Sequence, residues 1–275
     1  MNPHATRSIS PIWLFKSLMA NRSLIYSLAK RDVVGRYRGS AMGLLWSFFN
    51  PVLMLAVYTF VFSLIFKARW AGGSGSKTEF ALVLFAGLLA FSLFSECLNR
   101  APSLIVSNVN YVKKVIFPLE ILPVVALGSA AFHFLIGLVV WLIFYLTFFG
   151  IPDATILQLP LVILPLILMT LGLSWFLASL GVYLRDMAQI IGVITTVLMY
   201  LSPIFYPIAA LPEKYRPLMQ ISPLTFVIEQ TRDTMVWGKS IQWEMWWTHI
   251  AIATLVAWMG FAWFQKTRKG FADVL

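Results

Sequence analysis

Six long stretches of the chain contain no Asp, Glu, Lys or Arg, and they constrain its fold more than any other feature. They cover residues 41–66, 80–95, 121–152, 154–184, 187–212 and 245–265. A helix that crosses the hydrocarbon core of a membrane needs about 20 apolar residues. Five stretches have this length, and the stretch 80–95 reaches it with its flanking residues. Since 60% of the residues are hydrophobic and only 12% are charged, the composition excludes a soluble enzyme, a disordered protein and a fibrous one.

These stretches predict an all-α membrane protein with six transmembrane helices per protomer, in a single transmembrane domain over residues 1–275. The predicted spans are 41–66, 79–98, 121–150, 155–184, 187–206 and 243–265. Three segments outside the spans complete the prediction. They are an amphipathic interface helix with a basic flank at 11–40, a long cytoplasmic loop at 99–120, and an external re-entrant region at 207–240.

The distribution of basic residues orients the predicted spans. An even number of spans places both termini on one side, and that side carries 14 of the 21 Lys and Arg residues. Because cytoplasmic loops are richer in Lys and Arg than external loops, both termini are predicted to be cytoplasmic. The net charge of +10 then reflects loops that face anionic lipid rather than binding to nucleic acid.

The segment before the first span has the pattern of an amphipathic helix. Leu14, Leu18, Ile25 and Leu28 fall on one helical face, which predicts a helix on the cytoplasmic membrane surface. A helix that packs on a soluble partner is the alternative, and the two interpretations are compatible. The basic residues at 30–40 also allow two interpretations: a topological flank of the first span, or a contact for a substrate or partner.

Two further segments outside the spans carry helix signals. Five prolines interrupt the partly apolar residues 203–223, and Ser222-Pro223 is a typical helix start. We therefore expect two short helices on the external side, returning to the edge of the bilayer. Residues 103–114 of the internal loop form either a short amphipathic helix, which would suit docking of a cytoplasmic partner, or an ordinary loop.

Motifs for nucleotide or metal chemistry are missing from the sequence. It has no phosphate-binding loop and no His or Cys pattern with metal-ligand spacing. Its one cysteine, Cys97, cannot form a disulfide within the chain. We expect His133, in the third span, to bond to a neighbouring helix. A transporter of this kind would have to take its energy from another protein.

A set of motifs spread over about residues 12–265 identifies a family resemblance. They are Arg31-Asp32, Arg-Tyr-Arg-Gly-Ser at 36–40, Gly-Leu-Leu-Trp at 43–46, Asn50-Pro51, Tyr-Thr-Phe-Val-Phe at 58–62, Tyr-Leu-Arg-Asp at 183–186, Ser-Pro-Ile-Phe-Tyr-Pro at 202–207, Leu211-Pro212 and Ser-Pro-Leu at 222–224. Together they resemble the ABC-2 type polysaccharide-export permeases, the membrane subunits of O-antigen, capsule and teichoic-acid ABC transporters. Where that family often has Asn-Pro, this chain has Ser222-Pro223, which keeps the same helix-cap chemistry.

The resemblance implies how such a chain works. It implies a homodimer in a bacterial inner membrane with two copies of a separate nucleotide-binding subunit. That subunit would bind ATP and Mg, so this chain would be non-catalytic and hold no cofactor or metal. Residues 11–40 and the coupling loop at 99–120 would dock the subunit, and the first and fifth spans would line the channel. The implied substrate is a lipid-linked polysaccharide, with O-antigen on undecaprenyl diphosphate favoured; a capsule or teichoic-acid polymer, or a small lipid or drug, is the alternative.

Three sets of residues are candidates for these roles. Aromatic rings bind the flat C–H faces of sugars without gripping one sugar, and cationic side chains bind a diphosphate. The candidates are Trp46, Phe49, Tyr58, Phe62, Tyr200 and Phe205 for the channel, Lys30, Arg31, Arg36, Tyr37 and Arg38 for the diphosphate entrance, and Ser103, Val106, Asn110, Lys113 and Lys114 for docking of the ATPase subunit. Packing against lipid or against the core is the alternative for each aromatic residue.

An intramembrane enzyme that acts on a lipid-linked glycan is the competing class of function. Such an enzyme needs carboxylates or histidines that cluster at one membrane face. Glu96, Glu120 and Asp186 fall at predicted span ends, and His133 lies within a span. The sequence itself shows no cluster among them, which favours the permease.

Overall fold

A computed structural model of the chain describes residues 8–65, 70, 77–113 and 117–275, and all regular structure in these residues is helical. The α-helices are α1 (Pro11–Ala20), α2 (Arg22–Tyr37), α3 (Trp46–Tyr58), α4 (Lys77–Arg100), α5 (Val109–Lys113), α6 (Leu122–Phe148), α7 (Leu159–Tyr183), α8 (Met187–Leu201), α9 (Arg216–Ile221), α10 (Pro223–Met235), α11 (Trp243–Thr267) and α12 (Phe271–Val274). A π-helical segment, Thr59–Ile65, continues α3. The prediction of an all-α membrane protein is confirmed.

Among the described residues, five helical segments are long and apolar enough to cross a membrane, and α8 is a sixth, shorter apolar helix. The five are Gly43–Phe62, Thr78–Ser103, Leu119–Phe148, Ala154–Tyr183 and Trp243–Val274. The predicted fifth span, 187–206, is helical only as far as Leu201. Helices tend to end before a proline because the proline ring disfavours helical backbone in the preceding residue, and Pro203 follows Ser202, whose backbone is extended.

The central helix of the bundle is α4, and α3 lies at its periphery. Within the most apolar window of each span, 83% of the α4 residues are buried, but only 11% of those in the span that contains α3. Side chains of α4, α6, α7 and α10 build the main hydrophobic core. The first span therefore has a largely open face, which is where a channel or a second protomer would have to meet it.

Helices α7 and α11 cross closely at two glycines. A Cβ atom added at Gly172 would lie 2.5 Å from the carbonyl oxygen of Val256, and one added at Gly260 would overlap the backbone of Gly172. Small residues let membrane helices approach until their backbones touch. This crossing fixes the last span against the fourth.

The first and last described helices lie at the same end of the bundle, which we call the terminal end and which comprises α1, α2, α5 and α12. The predicted amphipathic helix is present as two helices, α1 and α2, separated at Asn21. Its four-residue apolar stripe packs on a cluster that includes Phe261 and Phe264 of α11. The stripe therefore faces protein.

A buried ion pair ties the terminal end together. Glu120 is fully buried, and its carboxylate accepts hydrogen bonds from Arg268 (2.8 Å) and from the Ser17 hydroxyl (2.8 Å). The Arg268 guanidinium also donates to the Phe117 carbonyl at 3.0 Å. Glu120 lies near the end of a predicted span but is not exposed to water. Ser17 of α1 and Arg268, which follows α11, cover its carboxylate.

The opposite end of the bundle, which we call the loop end, carries α9 and α10. Helix α10 begins at Pro223, as the Ser222-Pro223 motif predicts, and it packs on α4 and α7. Leu224, Val227 and Ile228 of this helix are buried. The segment between α8 and α11 is therefore a packed part of the bundle, and its re-entry into the bilayer stays a prediction.

The internal loop is more broken than a single amphipathic helix. It contains the 3-10 turns Ala101–Ser103 and Val106–Asn108, followed by the short helix α5. Of the two alternatives given for residues 103–114, neither a single helix nor an ordinary loop describes residues 103–113, which are helical in parts; Lys114 lies outside the described residues.

Candidate functional site

Four polar side chains meet between α2, α4 and α6. The Arg36 guanidinium donates to the Glu96 carboxylate at 2.6 Å, and His133 Nδ1 lies 2.9 Å from the same carboxylate. On the other side of the imidazole ring, the Tyr37 hydroxyl lies 3.2 Å from His133 Nε2. The tautomer with its proton on Nδ1 donates to Glu96 and accepts at Nε2 from the Tyr37 hydroxyl. We call this group the entrance cluster.

A second polar group lies beside the entrance cluster. The Asp32 carboxylate accepts hydrogen bonds from Arg100 at 2.7 Å and from the Ser129 hydroxyl. Burial raises the pKa of Asp32, but the hydrogen bonds from Ser129 and Arg100 outweigh burial and hold this pKa below its usual value of 3.8. Burial also raises the pKa of the Tyr37 hydroxyl, so Tyr37 remains a protonated donor at neutral pH.

Sequence patterning explains why these groups meet. Asp32 and Arg36 are four residues apart, so they lie on the same face of α2, and that face packs along α6. Ser129 and His133 are four residues apart on α6, and Glu96 and Arg100 are four residues apart on α4. Each of the three helices therefore carries two polar side chains on one face, one turn apart, and these three faces meet.

A groove leads from the entrance cluster along the first span. Its cavity has a volume of about 240 Å³ and lies between α3, α4 and α6. Arg36, Tyr37, Glu96 and His133 line one part of it, and the first span contributes Ser47, Asn50, Pro51, Met54 and Tyr58. The cluster and one predicted channel aromatic, Tyr58, thus share one cavity.

Four of the six predicted channel aromatics form a continuous row that begins at this groove. The ring centroids of Tyr58 and Phe62 are 6.5 Å apart, Phe62 stacks on Phe205 at 5.7 Å, and Phe205 stacks on Tyr200 at 5.7 Å. The row joins the first span to the segment that follows α8, and Tyr58, Phe62 and Phe205 also pack against the main hydrophobic core. A role of these rings in a channel stays a prediction. We call it the aromatic row.

The other two channel candidates lie elsewhere. Trp46 and Phe49 are exposed near the start of α3, and Phe49 contacts Phe48 rather than the aromatic row. An exposed ring on a membrane helix is equally suited to lipid and to a second protomer.

The remaining entrance candidates surround the cluster without joining it. The Arg31 guanidinium donates to the hydroxyl of Tyr111 on α5 at 3.1 Å. Lys30 and Arg38 are exposed, and within the described part of the chain their side chains have no hydrogen-bond or ion-pair partner. Arg36 and Tyr37 are therefore the only two of the five candidates, among the described contacts, that reach the groove.

Four of the docking candidates lie on the surface of the terminal end. Ser103, Val106, Asn110 and Lys113 are all exposed, whereas Lys114 lies outside the described residues. Since Arg31 of α2 is hydrogen-bonded to Tyr111 of α5, this surface is tied to the helix that carries the entrance cluster.

Sequence reasoning named Glu96 and His133 separately but did not predict them as partners of Arg36. The expectation that His133 bonds to a neighbouring helix is confirmed, because it contacts Glu96 of α4 and Tyr37 of α2. Arg232 of α10, which is almost completely buried, was not singled out. Of the residues proposed for an intramembrane enzyme, only Glu96 and His133 contact each other; Glu120 pairs with Arg268, and Asp186 is exposed.

No metal centre is evident in the described residues, where no group of three or more His, Cys, Asp or Glu side chains could hold an ion. The arrangement offers instead a cation for an anionic group and stacked rings for a sugar chain.

Comparison with known proteins places the chain in a family. The O-antigen export system permease protein RfbA of Myxococcus xanthus is 26% identical over 264 residues, which cover 95% of this chain and 99% of the relative. RfbA of Klebsiella pneumoniae is 25% identical, covering 92% and 95%. The polysialic acid transport protein KpsM of Escherichia coli is 23% identical, covering 78% and 81%. The family described as ABC-2 type transporter matches residues 23–236. The chain belongs to the ABC-2 type transporter family.

Proposed function

We propose that this chain is the permease subunit of an ABC transporter that exports a lipid-linked polysaccharide, favouring O-antigen on undecaprenyl diphosphate, across a bacterial inner membrane. The observation that carries the proposal is the groove beside α3, which has a cation at one end and leads into the aromatic row at the other. The names of the relatives, which are export permeases for O-antigen and for polysialic acid, support the same class of substrate.

Arg36 is the residue that we assign to the diphosphate. Arginine forms forked hydrogen bonds to phosphate oxygens, and the Arg36 side chain is 39% exposed. A phosphate would have to compete with Glu96 for the guanidinium. Glu96 would then retain His133, at 2.9 Å, and Arg100, whose guanidinium lies 3.9 Å away. The cluster can therefore release Arg36 without leaving the Glu96 charge unpaired.

The aromatic row is the surface that we assign to the sugar chain. A polymer that slides through a channel needs contacts that recur along its length and do not depend on one sugar, and stacked rings provide them. Trp46 and Phe49 would extend this surface in the assembled transporter.

Energy would come from two copies of a nucleotide-binding subunit that bind ATP and Mg, on a homodimer of this chain with both termini in the cytoplasm. The exposed residues Ser103, Val106, Asn110 and Lys113 are the docking surface that we propose. Because α5 is hydrogen-bonded to α2 through Arg31 and Tyr111, movement of the docked subunit would reach the entrance cluster directly.

A capsule polymer is the second candidate substrate, since KpsM is named for transport of polysialic acid. The groove itself does not select between the two classes of polymer, because the rings would bind any sugar chain and Arg36 would bind any anionic lipid head.

The test is substrate-stimulated ATP hydrolysis by the complete complex in proteoliposomes. The chain is purified together with its nucleotide-binding subunit, and undecaprenyl-diphosphate-linked glycan is added or omitted. Replacing Arg36 by Ala should raise the glycan concentration for half-maximal stimulation about tenfold or more, because a hydrogen bond to a charged group contributes about 1.5–3 kcal/mol. Lys269→Ala removes an exposed cation of the terminal end that lies outside the segments proposed to dock the subunit; it is the control and should change nothing.

Three results would contradict the proposal. One is a chain that copurifies with no ATP-hydrolysing subunit. Another is a complex whose hydrolysis does not respond to lipid-linked glycan. The last is a chain that converts a glycan lipid by itself, which would support the enzyme class instead and direct attention to Glu96 and His133.

A further inference from the structure

Arg232 of α10 is 1% exposed, and its guanidinium is held almost entirely by backbone. Nε donates to the Val83 carbonyl at 3.0 Å, and Nη2 donates to the Ile204 carbonyl at 2.7 Å. Nη1 donates to the Pro203 carbonyl at 2.5 Å and to the Glu229 carboxylate at 2.9 Å. One side chain thus joins α10, α4 and the segment that follows α8.

The surroundings of the guanidinium are shaped for it. The Trp70 ring lies beneath it, with the ring centroid 4.3 Å from Cζ. Gly87 of α4 leaves the necessary space, since a Cβ atom there would lie 2.8 Å from Nη2. An arginine has five N–H donors, and these contacts use four of them. Arg232 is therefore not a free cation for an anionic substrate.

The two carbonyls that Arg232 holds after α8 directly precede a residue of the aromatic row. Pro203 and Ile204 are followed by Phe205, whose ring stacks on Phe62 and on Tyr200. Backbone fixed at two consecutive carbonyls leaves the next side chain little freedom to leave its position. Burying an ion costs free energy that a well-packed apolar side chain would not, so a structural need for α10 alone would not require an arginine.

We propose that Arg232 is a positioning residue that sets the place of Phe205 in the aromatic row and so closes the contact between the first and fifth spans. The effect on transport rests on the function proposed above, whereas the effect on Phe205 does not. A lysine cannot replace Arg232, because a single ammonium cannot reach carbonyls from three directions with the fork of a guanidinium.

Crosslinking measures the position of Phe205 independently of transport. Cys97 is the only cysteine of the chain, so Cys97→Ser gives a background in which Phe62→Cys and Phe205→Cys form a defined pair. The pair is treated in membranes with a short bismaleimide, in the complex with the nucleotide-binding subunit, and the crosslinked monomer is quantified. Arg232→Gln should lower the crosslinked fraction about threefold or more, because the charge-assisted hydrogen bonds to the Pro203 and Ile204 carbonyls are weakened or lost.

Two further variants keep the test decisive. Arg216→Gln is the matched control at the loop end, since Arg216 also donates to backbone carbonyls, those of Leu211 and Ala209, both at 2.9 Å; it should leave the fraction unchanged. Gly87→Ala should lower the fraction as Arg232→Gln does, by displacing the guanidinium, although alanine favours the helix. If Arg232→Gln does not accumulate, Gly87→Ala alone decides.

An unchanged crosslinked fraction in Arg232→Gln or, where that variant does not accumulate, in Gly87→Ala overturns the assignment of Arg232. Glycan-stimulated ATP hydrolysis, measured with Phe62 and Phe205 intact, tests whether the position of Phe205 matters for export. If Arg232→Gln lowers crosslinking but leaves glycan stimulation unchanged, Arg232 positions Phe205 as inferred, and the role of the aromatic row in export is wrong.

Discussion

The terminal end and the loop end of the bundle both hold arginines, but the acceptors differ. At the terminal end, Arg36 and Arg100 are bonded to the side chains of Glu96 and Asp32, and Arg36 is 39% exposed. At the loop end, Arg232 is buried and bonded mainly to backbone carbonyls. Side chains can rotate towards a new partner, whereas a carbonyl moves only with its backbone. The first network can exchange partners when a ligand arrives, and the second holds the segment after α8 against α4 and α10.

The pair of Glu120 and Arg268 sharpens this comparison, because it lies at the terminal end but both of its side chains are buried, as Arg232 is at the loop end. Glu120→Leu or Arg268→Met alone should lower the free energy of unfolding by about 3–5 kcal/mol, since each leaves an uncompensated buried charge. Thermal unfolding of the purified complex in detergent measures the effect.

The double variant is the control for this prediction. Glu120→Leu together with Arg268→Met should recover most of the loss, because replacing a whole buried pair by apolar residues is often close to neutral. If each single variant unfolds like the wild type, the burial of an ion pair in this bundle does not determine how much the pair stabilises the fold.

Much of the fold followed from the sequence because a membrane imposes simple rules. An apolar stretch of about 20 residues predicts a membrane-spanning helix, in which every backbone polar group is bonded within the segment, and Ser222-Pro223 marks a helix start whatever surrounds it. The end of the fifth span at Leu201 was harder, since the sequence after it remains apolar through 204–208 and only the prolines indicate the break.

The candidate site could be predicted only in part, for a physical reason. Apolarity all round a helix hides its rotation, so the sequence could select aromatics but not separate Tyr58 and Phe62 from Trp46 and Phe49. The role of Arg232 was beyond prediction, because three of its four hydrogen bonds go to carbonyls, and any residue can supply a carbonyl. The entrance cluster was closer to reach, because Arg36, Glu96 and His133 each lie four residues from a member of the second polar group on the same helix.

Neutralising Glu96 tests whether the terminal network is exchangeable. Glu96→Gln should change the free energy of unfolding by less than about 1 kcal/mol, as for other solvent-accessible ion pairs. It should also lower the glycan concentration for half-maximal ATPase stimulation about threefold, since a phosphate no longer competes with a carboxylate for Arg36.

Glu213→Gln is the control for Glu96, because Glu213 is 91% exposed and lies at the loop end. It should alter neither quantity. A weaker response to glycan in Glu96→Gln would mean that Glu96 holds Arg36 in place for the phosphate instead of competing with it, and the entrance cluster would then resemble the rigid loop end.

The smallest expected effect is the acid response of Asp32. A carboxylate whose pKa is lowered by folding adds stability above its usual pKa of 3.8 and loses that contribution as the pH falls through the lowered value. The unfolding temperatures of wild type and Asp32→Asn should therefore differ by a constant amount between pH 5 and 7, and the difference should shrink below about pH 4.

Asp273→Asn, on the exposed side of α12, is the control, and it should leave the loss of stability at acid pH unchanged. The effect is small because Asp32 is only half-buried and is bonded to side chains. When its charge is removed, Arg100 and Ser129 can rotate towards water and form new hydrogen bonds there. A difference that persists undiminished below pH 4 would show that the hydrogen bonds to Asp32 do not depend on its charge, and that this part of the terminal network is as fixed as the backbone cage of Arg232.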